Sequence, residues 1–254
     1  MALTRRELDL IAELAWTDFK MRYNSSKLGF VWSFLNPLMM LTTLYVVFHL
    51  LMRSNIEQYP LFLLLGIILW NYFAESTVAG IAAVSNKAPL INRIRFRKDI
   101  IVFASGLTTL LSFTLNMIVF AVFMLVFGAG LSWHVLYLPV VVFQFLMLTL
   151  GISFGLGAVY TRYHDTKHIW EVLLQIGFFL TPIFYQVGII PPEYAGAYML
   201  NPVTRIITSA RELILYHQMA DAGSQVVTFV ICASALAGGY AYFRSRRDYL
   251  ADEV

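Results

Sequence analysis

The chain has 254 residues, of which 59% are hydrophobic and 13% charged, with a formal net charge of +3. Soluble domains carry about 25% charged and roughly 45–50% apolar residues, so this balance excludes an ordinary soluble globular domain. A single cysteine, Cys232, excludes an internal disulfide.

Residues 3–22 set Leu3, Leu10, Ile11, Leu14 and Phe19 among Glu7, Asp9, Glu13, Asp18 and Lys20. That spacing predicts an amphipathic helix in the membrane interface, within an N-terminal segment 1–27. The alternative is a cytosolic helix packed on a partner. After a polar break come long apolar runs, each near the roughly 20 residues that cross a bilayer. Spans are predicted over about 31–52, 60–83, 100–127, 135–159, 169–186 and 226–243, with Pro37 inside the first. Gly128-Ala129-Gly130 predicts a minimal turn between the third and fourth. The expected architecture is therefore an all-α integral membrane protein of six spans forming one transmembrane domain, 1–254.

The segment 187–223 breaks the pattern with Pro191-Pro192, Asn201-Pro202, Arg205, Arg211 and Glu212. Its apolar pieces are too short and too charged to cross. An outer re-entrant hairpin, shielded by protein, is the economical solution.

Charge decides the orientation. Of 18 basic residues, 15 fall in segments on one side of the spans: Arg5, Arg6, Lys20, Arg22, Lys27; Lys87, Arg93, Arg95, Arg97, Lys98; Arg162, Lys167; and Arg244, Arg246, Arg247. Only Arg53, Arg205 and Arg211 remain for the other. Basic short loops stay in the cytoplasm, which places both termini inside. The +3 charge is this bias counted again and is no sign of nucleic-acid binding.

No G-x-x-x-x-G-K-[ST] phosphate loop occurs, so the chain cannot itself be a P-loop ATPase. Glu75 lies within a span, where it either relays protons or pairs with a loop cation. His164 and His168 stand at zinc-ligand spacing beside Asp165, but without a third ligand the loop reads as a partner contact rather than a metal site. Aromatics well inside spans or beside breaks are candidates for stacking on sugars: Trp32, Tyr45, Trp70, Tyr72, Phe179 and Tyr185. Packing, against lipid or protein, is the alternative for each.

Thr17-Asp18-Phe19-Lys20-x-Arg22-Tyr23, Lys27-Leu28-Gly29-x-x-Trp32-x-x-x-x-Pro37-Leu38 and Gly66-x-x-x-Trp70-Asn71-Tyr72-Phe73 resemble the permease subunits of ABC transporters that export O-antigen, capsule and teichoic acid. The resemblance continues through His164-Asp165, Phe179-Leu180-Thr181-Pro182-Ile183-x-Tyr185, Asn201-Pro202-x-Thr204 and Arg211, in collinear order over nearly the whole chain. The chain departs from it at Phe96-Arg97, where Phe-Pro is frequent, and at His164-Asp165, where Arg-Asp is.

The resemblance implies a non-enzymatic transmembrane subunit in the bacterial inner membrane, working as a homodimer with two ATPase subunits that carry ATP and Mg. No cofactor is implied on this chain. The cargo would be a lipid-linked polysaccharide, commonly on undecaprenyl pyrophosphate. Coupling would fall to Arg93, Arg95, Arg97, Lys98, His164 and Asp165, and an outer gate to Pro182, Arg205 and Arg211. For both arginines, holding the hairpin's fold is an equal alternative. A drug or lipid efflux permease of the same superfamily is the competing function. A membrane glycosyltransferase or acyltransferase is remote, because the outer face offers Glu57, Glu193, Glu212 and Asp221 without a matching histidine pair.

Overall fold

A computed structural model describes residues 4–24, 31–51, 56–87 and 97–246, and among these every regular element is helical. The α-helices are α1 (Arg5–Asn24), α2 (Val31–Tyr45, continuing as a π-helical turn, Val46–Leu51), α3 (Tyr59–Asn86), α4 (Asp99–Val126) and α5 (Leu138–Tyr160). They continue with α6 (Thr166–Leu180), α7 (Pro192–Tyr198), α8 (Pro202–Ile214) and α9 (Ala222–Ser245). Among the described residues, four stretches are long and apolar enough to cross a membrane: α3, α4, α5 with the 3-10 turn before it, and α9. Their limits fall within a few residues of those predicted. Helix α2 is apolar over a shorter stretch, Leu35–Leu50, and it runs on through Pro37.

Helix α3 sits at the centre. From Leu61 to Trp70 every residue is buried, against α2, α4, α5, α6 and α8. A helix apolar all round is enclosed by protein or by lipid; α3 is enclosed by protein, whereas α9 buries only one face.

The closest packing joins α5 to α9. A Cβ on Gly151 would strike the backbone of Ala235, and one on Gly239 would strike the Gly151 carbonyl. Gly151-x-x-x-Gly155 thus faces Ala235-x-x-x-Gly239, the small-residue spacing that lets helix backbones meet in an apolar medium. Gly80 of α3 packs as tightly on Ser153 of α5. Buried hydroxyls tie α4 and α5 to α3: Thr109 of α4 donates to Ser76 Oγ at 3.1 Å, and Ser153 of α5 donates to the Ser76 carbonyl at 3.3 Å. Gly128 adopts φ +68° after α4, a left-handed conformation that glycine takes without steric cost, and turns the chain where predicted.

Helix α1 lies along α4 through Ile11 and Ala15, and Thr108 donates to the Ala15 carbonyl at 3.3 Å. Its start is a capping box: the Thr4 N–H donates to Glu7 Oε2 at 2.8 Å, and Glu7 N–H returns to Thr4 Oγ1 at 3.4 Å. The Thr4 backbone N–H, then its hydroxyl, hold the Glu7 carboxyl below its ordinary range, with Arg97 adding to the effect.

The predicted fifth span is shorter as a helix than expected. Helix α6 has 15 residues, a length of about 22 Å at 1.5 Å per residue against a hydrocarbon core of roughly 30 Å. The cause is Pro182. The residue before a proline is driven out of helical conformation, and Thr181 is accordingly extended at φ −91°, ψ 140°.

Candidate translocation and coupling surfaces

The described cations separate to the two ends of the bundle. Where α3 ends and α4 begins, α1 supplies the counter-charges: Asp18 receives Lys87 at 2.6 Å, and Glu7 stands 3.5 Å from Arg97. Arg22 pairs with Glu75 and donates to Ser112 Oγ at 3.2 Å, joining α1 to α3 and α4. Glu75 is therefore paired with a cation, as the simpler of its two readings held, although the cation belongs to α1 rather than to a loop.

Arg97 and Asp99 form the next cluster. Arg97 Nε donates to Asp99 Oδ1 at 3.1 Å, a second guanidinium nitrogen meets Oδ2, and Tyr240 bridges both. The Tyr240 hydroxyl accepts from Arg97 at 3.1 Å and donates to Asp99 at 3.0 Å. Tyr240 is absent from the sequence reading. No local pattern marks it, because its partners lie more than 140 positions away. Arg97 is thus bound within the chain, to Asp99 and Tyr240. Arg93 and Arg95 lie outside the described residues, and Lys98 is half-buried.

The loop between α5 and α6 differs. His164 and Asp165 are exposed, and Asp165 makes no side-chain cap on α6. The His164 ring lies 5.3 Å from Tyr160, while His168 Nδ1 stands 3.5 Å from Glu171.

At the opposite end the chain after α6 wraps around Arg211. This side chain is 3% exposed, and its guanidinium donates to the carbonyls of Pro182 at 2.6 Å, Ile183 at 2.7 Å and Phe62 at 3.1 Å. It lies 3.4 Å over the Phe62 ring. Gly66 makes room for it: a Cβ there would stand 2.6 Å from an Arg211 nitrogen. Of its two readings, that of a residue holding the hairpin describes this geometry. Arg205 likewise binds the Met199 carbonyl and donates to Ser224 at 2.9 Å, tying α8 to the start of α9.

Tyr59 donates to the Phe184 carbonyl at 2.8 Å, and the buried Pro182 lies in the same turn. Asn201 caps α8 by accepting from Val203 N–H at 3.0 Å and donates to Thr181 at 3.3 Å. Helix α8 buries Val203, Ile206, Ile207, Ala210, Leu213 and Ile214 against α3, α5 and α9.

The six stacking candidates do not share one surface. Trp70 and Tyr72, two of the expected channel residues, are core residues at 7% and 3% exposure within this chain. Trp70 packs against Gly177, where a Cβ would stand 2.9 Å from the indole, and Tyr72 against Phe113 and Phe145. Tyr45 is half-buried beside His49 and Tyr59, and the side chain of Trp32 is outside the described residues. Tyr185 donates to the Leu180 carbonyl at 3.0 Å and closes the end of α6. Among the five that are described, Phe179 alone is open, at 65%, and it ends an exposed apolar strip of Ile169, Val172, Ile176 and Leu180.

Such a bundle of long apolar helices, with most of its described cations toward one end and Arg205 and Arg211 at the other, defines a multi-pass membrane protein. The family model for the ABC-2 type transporter matches residues 9–215. Across 247 residues, the chain is 31% identical to an O-antigen export system permease protein, RfbA, of Myxococcus xanthus, covering 96% of this chain and 95% of that one. It is 30% identical over 209 residues to RfbA of Klebsiella pneumoniae, covering 82% and 80%. With the polysialic acid transport protein KpsM of Escherichia coli it shares 22% over 237 residues, 91% of each. The chain belongs to the ABC-2 type transporter family, as a permease.

Proposed function

We propose that this chain is the transmembrane subunit of an ATP-driven exporter that moves a lipid-linked, O-antigen-like polysaccharide out across the bacterial inner membrane. The end-to-end match to an O-antigen export permease carries the reading. The protein works as a homodimer with two copies of an ATPase subunit, on which ATP and Mg are bound. Deletion of the gene should leave the lipid-linked polymer in the cytoplasmic leaflet and remove it from the cell surface. Unchanged surface glycan, with loss of resistance to an amphiphilic drug instead, would assign the chain to efflux.

In this reading the chain crosses six times, with the basic end cytoplasmic and α7–α8 forming a re-entrant gate on the outer side. Helix α2 supplies the first crossing. The fifth is α6, completed by residues 181–186, whose non-helical backbone is enclosed by Tyr59, Arg211 and Asn201. Reporters at Glu57, Ser132 and Ala197 should read outside, and those at Lys167 and the C-terminus inside. An outer C-terminus would overturn the six-span topology.

The apolar strip of α6 faces the second copy and the conduit, with Phe179 at its outer end. A long polymer needs shallow, repeated contacts. Aromatic stacking supplies about 1–3 kcal/mol each in nucleic-acid channels, a loose analogue. Phe179→Ala should lower export severalfold without changing thermal stability, because an exposed ring contributes little to the fold. Normal export by this variant removes Phe179 from the path. At the cytoplasmic side, Asp165→Lys should weaken ATPase co-purification and export while membrane levels hold. Intact association would place docking elsewhere, on α1 for example.

A further inference from the structure

Helix α9 is held near both of its ends by polar contacts to elements far apart in the chain. At the basic end the Tyr240 hydroxyl accepts from Arg97 at 3.1 Å and donates to Asp99 at 3.0 Å, at the start of α4. At the opposite end Ser224 Oγ accepts from Arg205 at 2.9 Å, and Gln225 donates to Ser209 Oγ at 2.7 Å. Arg205 and Ser209 both belong to α8. At a rise of 1.5 Å per residue, Ser224 and Tyr240 stand about 24 Å apart along α9.

Between these points α9 cannot shift alone. Gly239, next to Tyr240, meets the backbone of Gly151 in α5. Phe154 of α5 packs edge-on against Tyr240 at 5.3 Å and Phe243 at 5.2 Å. Toward the other end Gln144 of α5 donates to the Gln225 carbonyl at 3.4 Å. The two helices are therefore one body over most of their length.

We propose that α9, braced by α5, is the strut that carries displacements between the start of α4 and α8, with Tyr240 and Ser224 as positioning residues at its two ends. The proposal rests on the reading above, in which the basic end faces the ATPase subunits and α8 belongs to the outer gate. A close-packed interior transmits strain rather than absorbing it, so a shift of the Arg97–Asp99 pair reaches α8 along this body. Phenylalanine at 240 would keep the ring contacts with Phe154. The hydroxyl adds the directional link to Arg97 and Asp99, and that link fixes where the strut begins. Glu7 stands 3.5 Å from Arg97, so α1 is joined to the same point.

The test is hydrogen–deuterium exchange of the whole transporter, permease with its ATPase subunits, in lipid nanodiscs with and without ATP and Mg. In the wild type, ATP should change exchange both at residues 97–103 and in α8. Y240F should keep the first change and reduce the second about threefold, within the range that single residues contribute to coupling between sites. Its melting temperature should match the wild type. S209A/S224A should give the same loss from the other end, and if it unfolds, S224A alone should show part of it. Combining Y240F with the outer substitutions should lower the α8 change no further, because one strut cut twice is still one strut. A full α8 change in Y240F refutes the strut and assigns the route to α3, whose Phe62 carbonyl binds Arg211 of the same helix. Losses that add across the two ends also refute it, as does an α8 change without one at 97–103, and in these cases the exporter reading stands. A wild type that ATP leaves unchanged at both places refutes that reading and the strut together.

Discussion

Gly239→Ala should unfold this protein or strip it from the membrane, although it adds one methyl group and favours helix. The new Cβ would collide with the carbonyl of Gly151, a backbone atom that cannot turn aside. Relief requires α9 to move off α5, and with it the seam continued by Cys232 and Phe243. Overpacking of a flexible core costs about 1–3 kcal/mol, and a backbone collision belongs at or beyond the upper end. Gly238 supplies the control. A Cβ there meets nothing within 4 Å, so Gly238→Ala should be neutral or stabilise by about 0.5–1 kcal/mol through helix propensity. Thermal unfolding followed by size-exclusion profile in mild detergent compares the two. Equal melting temperatures would show that the α5–α9 seam is not tight.

Arg211→Met should be nearly as damaging at the opposite end. Methionine fills much of the space but leaves the carbonyls of Pro182, Ile183 and Phe62 without their cation. Each buried group deprived of its partner costs roughly 1–3 kcal/mol. Arg211→Lys should recover only part of the loss, because an ammonium cannot span three acceptors held by a planar fork. The expected signature is a lower melting temperature together with new protease cleavage in residues 181–190, where the turn would come away from α3. Export would fail as a consequence. A variant that keeps wild-type stability yet exports nothing would instead give Arg211 a direct part in handling substrate.

Some of this was legible beforehand. The four long spans were readable to within a few residues because charge-free apolar runs of that length have no other stable setting. The stop at Pro182 was visible as a break, although the short α6 it leaves was not. The small-residue spacing of Gly151 and Gly155 was also present to be read. Its meaning depends on what faces it, and Ala235 and Gly239 lie some 80 positions on. Trp70 and Tyr72 show the opposite difficulty. Because α3 is enclosed on every side, its sequence has no apolar stripe to say which aromatics face protein and which face open space.

What the sequence determined by itself was one-dimensional. Apolar length against bilayer thickness identified the long spans, and the distribution of lysine and arginine divided their connections into a basic and a poorly charged set. Both are properties of a segment and its solvent, so no knowledge of neighbouring helices is needed. Tertiary structure decided which side chain faces what. It turned Arg211 inward onto three carbonyls, spent Arg97 on Asp99 and Tyr240, buried Trp70 against Gly177, and left Phe179 open. Within an apolar medium, hydrophobicity no longer separates inside from outside. Facing is then set by where small residues let backbones meet and where polar groups find partners, and those partners come from distant parts of the chain.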